Sequence, residues 1–233
     1  MKSPQATAAA HRRRLLRALA YALGAAASPT ARGQLLGKVP RELPPGRSIY
    51  DLRGDCRVNG KPAAADTVIR VNDTVSTGNG SQFIFVVGKD AFLLRENSQM
   101  ALLGDNLFVS GLRLLTGALL AVFGGGQHTV TTDSVVLGTR GTGVYVEARP
   151  DRTYACVCYG TMEIAPNDST ERETIVSRHH DAPRYVLATG ETRILPAPLI
   201  NHTDQELALI EALVGRTPPF ALFDSGYGTQ RRY

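Results

Sequence analysis

Val135-Val-Leu-Gly-Thr-Arg-Gly-Thr-Gly-Val-Tyr-Val-Glu147 decides how this chain is read. Two β-branched runs, residues 135–137 and 144–146, flank a hinge holding Gly138, Gly141 and Gly143. Apolar runs rich in Val and aromatics and bounded by glycine read as buried strands. A glycine hinge between them predicts a bulge or a sharp strand-to-strand corner, where positive φ or close backbone approach excludes a Cβ. Arg140 then projects from the corner, and Thr139 and Thr142 are free to hydrogen-bond the turn. A phosphate-cradling loop is the rival reading of Gly138-x-x-Gly141-x-Gly143. That loop needs a helix directly behind it, so that backbone N–H groups face the phosphates. Val144-Tyr-Val-Glu-Ala148 is instead a strand sequence, and no Gly-Lys-Ser/Thr is present. Gly138, Arg140, Gly141, Thr142 and Gly143 are therefore expected to build a structural corner, with no cofactor.

Short β-rich segments extend on both sides of this stretch. Asn59-Gly60 is a type I′ hairpin signal between residues 53–58 and 62–64. Residues 67–71, 81–87, 91–94, 99–103, 106–109, 112–115 and 118–123 follow at close spacing. Gly124-Gly-Gly126 is a break where the chain can reverse, and residues 127–132 and 153–159 complete the array. No fixed-length repeat is present, which argues against a regular solenoid. The fold class expected is all-β, a sandwich or roll of short strands, with one C-terminal α-helix.

Further strands are expected at residues 175–176, 185–187 and 192–195. The helix is announced by Thr203-Asp-Gln-Glu206, a capping box. Leu207, Ile210, Leu213 and Val214 form its apolar stripe, and Gly215 its stop. Docking of that stripe on the β domain is the expectation, and a partner-binding helix the alternative. Residues 218–233 read as a loose tail.

Leu137-Gly-Thr-Arg-Gly-Thr-Gly-Val-Tyr-Val146 resembles the v-R-G-T-x-f-x-V signature of the FecR-type domain, the periplasmic domain named after the iron-dicitrate regulator. Val58-Asn-Gly60 and Thr74-Val-Ser-Thr-Gly-Asn-Gly-Ser81 are similar to its opening elements. Phe92-Leu-Leu-Arg-Glu-Asn-Ser98, Leu114-Leu-Thr-Gly-Ala-Leu119 and Tyr159-Gly-Thr-Met-Glu-Ile164 follow in the family's order. The resemblance spans residues 49–164 and implies a non-enzymatic sensing or protein-interaction role at the bacterial envelope. The namesake regulators relay an outer-membrane receptor signal to a sigma factor through a cytoplasmic segment and a membrane span. This chain shows only a signal-like N-terminus, so a stand-alone periplasmic module is expected, its partner an envelope protein or an extracytoplasmic ligand.

The chain has 233 residues and a formal net charge of +5. Lys2, Arg12, Arg13, Arg14 and Arg17 account for that excess, and no acidic residue lies within positions 1–27. The remainder is balanced and carries no electrostatic footprint for nucleic acid. Arg12-Arg-Arg-Leu-Leu-Arg17 is similar to a twin-arginine export pattern, and Ala25-Ala-Ala27 offers a small-residue cleavage site. A general secretory signal and a retained basic tail are the alternatives. The organisation expected is an export signal over 1–27, an extended lead-in over 28–48, the β domain over 49–198, and helix and tail over 199–233. The protein is then periplasmic or secreted, with no transmembrane span once the signal is cleaved.

Cys156-Val-Cys158 lies in the strand-like Thr153-Tyr-Ala-Cys-Val-Cys-Tyr159. Period two puts both thiols on one face, about 6–7 Å apart along the strand, too far to bridge comfortably. Such a pair suits a soft metal. His179-His180 follows and His202 lies beyond, so a zinc or copper site built from Cys156, Cys158, His179 and His180 is one reading. Core packing, or a disulfide from one of them to Cys56, is the other. Asp133-Ser134 with His128, or His180-Asp181 with a distant serine, supplies hydrolytic residue types, but no nucleophile elbow accompanies them. The chain is not expected to be an enzyme.

Overall fold

The computed structural model describes residues 40–105 and 108–222. The export-signal segment, most of the lead-in and most of the tail expected from sequence lie outside the described residues. The strands are β1 (Ile49–Arg53), β2 (Cys56–Val58), β3 (Lys61–Pro62), β4 (Thr74–Thr77), β5 (Gln82–Val87), β6 (Asp90–Leu94) and β7 (Gln99–Asp105). They continue as β8 (Phe108–Val122), β9 (Gln127–Thr131), β10 (Val135–Ala148), β11 (Arg152–Pro166), β12 (Glu173–Ser177), β13 (Arg184–Leu187) and β14 (Ile194–Pro196). One α-helix, α1 (Asp204–Ala212), follows, and then a 3₁₀ turn at Pro219–Leu222. Among the described residues the fold is all-β with a single α-helix near its C-terminal end.

Three long strands, β8, β10 and β11, each belong to two layers. The halves of these strands around residues 117–122, 143–148 and 152–159 pair into one layer, ordered β1-β5-β6-β8-β10-β11-β13-β14. Their other halves join the second layer with β2, β3, β4, β7, β9 and β12. Within it β8 and β9 run parallel at Gly111↔Thr129. Each long strand changes layer at glycine. Gly117 (φ 86°) turns β8, a bulge between Arg140 and Gly143 turns β10, and Gly160 (φ 95°) turns β11.

Of the bulge and the sharp corner expected around Gly138–Gly143, the structure has the bulge, and the two runs form one continuous strand. The bulge bends β10 while ladder pairing continues on both sides, to β9 and β11 before it and to β8 and β11 after it. Gly138 pairs regularly with Glu163, and Arg140 is exposed at the bend. Thr139 donates to the His128 carbonyl, whereas the buried Thr142 hydroxyl has no partner among the described residues. Residues 108–109 of the strand expected at 106–109 and the strands expected at 112–115 and 118–123 merge into the long β8. Residues 67–71 are not a strand, because the Ser48 hydroxyl takes both the N–H and the C=O of Ile69.

Alternation sorts the side chains into two cores. Phe83, Phe85, Phe92, Val144, Val146, Ala155 and Val157 fill the space between the layers with Val75, Met100 and Leu137. Ile84, Val86, Leu93, Leu120, Tyr145, Tyr154, Cys156 and Cys158 point the other way, toward α1. The first layer is thus buried on both faces, which explains why β5 and β6 read as unbroken apolar runs.

Thr203 caps α1, accepting from the Glu206 N–H while Glu206 reaches back to the Thr203 N–H. Gly215, at φ 70°, lets the chain leave the helix. Leu207, Ile210 and Leu213 are buried in the outer core, each contributing roughly 2 kcal/mol. The stripe is used within the fold, so the partner-binding alternative for this face does not hold. No helix among the described residues is long and apolar enough to cross a membrane.

Candidate metal centre

β11 presents Cys156 and Cys158 on the same face, both completely buried, with Cys156 opposite Tyr145 of β10. Cys56 sits across the sheet in the inner core, its Sγ 3.4 Å from the carbonyls of Arg53 and Gln82. All three cysteines are free, and the sheet separates Cys56 from the other two. The disulfide alternative is therefore set aside.

His180 comes from the turn between β12 and β13. The Asp181 carboxylate organises that turn by accepting from the Arg178 N–H at 2.7 Å, and the Asp181 N–H donates to Ser177 Oγ at 3.0 Å. His180 adopts φ 54° there, and its N–H donates to the Cys158 carbonyl at 2.9 Å. Its ring is thereby laid against the thiols, with Nδ1 3.5 Å from Cys156 Sγ. His202 arrives from the connection into α1, one residue before the cap. Its ring stacks on Tyr145 at 4.5 Å, and its Nε2 lies 3.1 Å from His180 Nδ1. One donor atom from each of Cys156, Cys158, His180 and His202 lies within 4.8 Å of the other three.

A tetrahedral zinc ion, with Zn–S about 2.3 Å and Zn–N about 2.0 Å, sets adjacent S and N donors about 3.5 Å apart and two N donors about 3.3 Å apart. The observed separations of 3.5 Å and 3.1 Å fit that shell.

The outer nitrogens fix which way the lone pairs point. His180 Nε2 faces an Asp204 carboxylate oxygen at 3.0 Å, and His202 Nδ1 faces the Ile200 carbonyl at 2.6 Å. Both acceptors lack a proton to give, so both outer nitrogens carry one. The inner nitrogens of neutral rings are then lone pairs facing each other, which repel unless a proton or a cation lies between them. An imidazole held from behind by a carboxylate or a carbonyl is the usual support of a metal ligand.

Charge in the cluster follows the same logic. A hydrogen bond from Cys158, aided by His180 and His202 and opposed by burial, brings the Cys156 thiol down to about 4. Burial and the neighbouring Cys156 thiolate push Cys158 up. Burial would lower His180, but Asp204 and Cys156 outweigh it and raise the imidazole to about 9. Without metal the cluster is thus a thiolate beside an imidazolium. A metal ion held by Cys156, Cys158, His180 and His202 would take the place of those protons.

His179 does not face the thiols. It is half-exposed, stacks on Phe220 at 4.4 Å, and directs Nε2 to both Asp204 oxygens at 3.0 Å. The structure brings Cys156, Cys158 and His180 together with His202, and leaves His179 in an outer trio with His180 and Asp204. The hydrolytic candidates are dispersed. His128 stacks on Phe123 and approaches Asp90 at 3.9 Å, whereas the Ser134 hydroxyl is bound to Thr153 at 2.7 Å. Asp181 serves the turn and not the His180 ring.

No protein-family model matches the chain, and no curated protein matches it. In fold it is similar to two crystal structures from Parabacteroides distasonis, each provisionally described as an anti-sigma factor. The TM-scores are 0.44 and 0.43, at 14% identity over 53% of this chain and 58% of theirs. The chain thus covers little more than half the length of those proteins. Likeness at this level bears on neither activity nor partner.

Proposed function

We propose that the chain is a non-enzymatic, metal-binding β module of the bacterial envelope, holding a zinc-class cation at Cys156, Cys158, His180 and His202. The observation that carries this reading is the pair of inward ring nitrogens, 3.1 Å apart, converging with two buried thiols. Two soft sulfurs and two imidazoles select zinc or copper(I) over hard cations. Four protein ligands close a tetrahedron and leave no position for substrate, which suits a structural or sensing site and not a catalytic one. The FecR-type resemblance of residues 49–164 supports a sensing or interaction role, with an envelope protein or extracytoplasmic ligand as partner. The signal-like residues 1–27 support export to the periplasm.

Equilibrium dialysis of the purified chain against zinc tests the metal reading. One zinc per chain is expected for the wild type and none for Cys156→Ser or His202→Ala; equal binding by all three would refute it. Fractionation of cells carrying a reporter fused behind residues 1–39 tests the location, with periplasmic reporter expected and purely cytoplasmic reporter contradicting it.

A further inference from the structure

We infer that the metal is a lock: it fastens residues 199–214, including α1, to the outer face of the first layer, and Asp204 couples the metal to the helix. This rests on the metal reading above and assigns that site a regulatory consequence.

The ligands come from three separate stretches of chain. Cys156 and Cys158 stand on β11, whose ladders to β10 and β13 hold it in the sheet. His180 is tied to the same strand by its N–H to Cys158. His202 alone belongs to the segment that recrosses the sheet after β14. Its bond to the metal therefore pins the N-terminal end of α1.

The helix needs such a pin. α1 has nine residues, fewer than the roughly 12–15 at which an isolated helix becomes even marginal in water, so it exists because it is docked. At its far end the Leu213 carbonyl accepts from Leu43, and Arg216 pairs with Glu211. At its near end the polar ties are an Arg95–Glu206 ion pair, about a quarter exposed on each side, the contacts of Asp204 with His179 and His180, and hydrogen bonds of Asn201 with Glu147 and Arg95 and of Tyr154 with Pro198 and Ile200. Such polar contacts each contribute modestly, because folding trades them for contacts with water. The Cys2His2 cluster is the tie at that end able to supply far more.

Asp204 transmits the effect. It is the first residue of α1, at the positive end of the helix dipole, and its carboxylate accepts from the rings of both His179 and His180. A cation on His180 Nδ1 makes the opposite N–H a stronger donor and tightens the hold of Asp204. Linkage makes the effect reciprocal: docked α1 orients the His180 lone pair for metal, and metal stabilises docked α1. Asp204, His179 and His180 also converge as a trio. A second cation there would oppose the helix dipole and displace two hydrogen bonds, so Asp204 is a positioning residue for the first site.

Hydrogen–deuterium exchange of the full chain, with and without one equivalent of zinc, tests the lock. Zinc is expected to slow the amides of residues 205–214 about tenfold or more, with smaller changes in β8 and β10. Asp204→Asn should weaken zinc binding about 10- to 100-fold and remove most of that protection. Leu207→Ala, which loosens the docked face without touching a ligand, should also weaken zinc binding. Stoichiometric zinc with unchanged exchange over 205–214, or with full affinity in Leu207→Ala, overturns the lock and leaves the metal site standing. Failure of the wild type to bind zinc overturns both.

Discussion

Replacing Gly160 by alanine tests the way the sheet changes layer. Gly160 sits at φ 95°, where a Cβ would lie 2.5 Å from Thr142 Cγ2 and 2.8 Å from the Gly141 carbonyl oxygen. The left-handed backbone costs an L-residue roughly 1–2 kcal/mol. The contact is with the backbone of β10 at its bulge, so relief requires β10 and β11 to part, an overpacking cost of about 1–3 kcal/mol. Together these predict a loss of about 2–5 kcal/mol, a large share of the roughly 5–15 kcal/mol that holds a domain together. In a protein of this size the melting temperature should drop by roughly 5–20 °C. Gly138→Ala is the matched control in the neighbouring strand, since its φ is ordinary and the nearest atom, Glu163 Cβ, is 3.8 Å away. It should change stability by no more than about 1 kcal/mol. Urea denaturation followed by circular dichroism measures both. A Gly160→Ala protein as stable as wild type, or a Gly138→Ala protein equally destabilised, would refute the argument.

Three further outcomes are expected. Leu207→Ala, at a fully buried position facing the outer core, should cost about 2–5 kcal/mol in a thermal melt; a loss under about 1 kcal/mol would mean that α1 is not docked. The His180 hydrogen bond, helped by His179 and opposed by burial, brings the Asp204 carboxyl from its ordinary 3.8 down to about 2. A depressed acid stabilises the fold above its unfolded value and loses that contribution as pH falls through its folded value. Metal-free wild type should therefore lose stability between pH 3.8 and about 2 more steeply than Asp204→Asn, and parallel profiles would contradict the pairing. Cys56→Ser, in the inner core, should lower stability while leaving zinc stoichiometry unchanged, whereas Cys158→Ser should abolish binding; zinc loss in Cys56→Ser would misplace the site.

Much of the fold was legible because local chemistry determined it. The Asn59-Gly60 hairpin, the capping box at Thr203 and the apolar runs of β5, β6 and β10 each follow from residues close in sequence. The continuity of β10 was not legible, because a bulge and a corner share the same glycines. They differ only in whether distant strands keep pairing through the bend. Gly117 and Gly160 left a fainter signal, single glycines inside strand-like runs, whose meaning depends on Ser98 and Thr142 packing against them. In the site, period two placed Cys156 and Cys158 together. Which of two adjacent histidines turns inward depends on the positive φ of His180, and no residue pattern announces that. His202 lies 22 residues beyond His180. Only the return of the chain through β13 and β14 brings it over Tyr145.

X-ray absorption spectroscopy of zinc-loaded protein, on a sample whose zinc-to-chain ratio is measured, tests the central claim most directly. The predicted result is one zinc per chain with two sulfurs at about 2.3 Å and two nitrogens at about 2.0 Å. A shell of oxygen and nitrogen alone, or a wild-type chain that stays metal-free in excess zinc and copper(I), would contradict it.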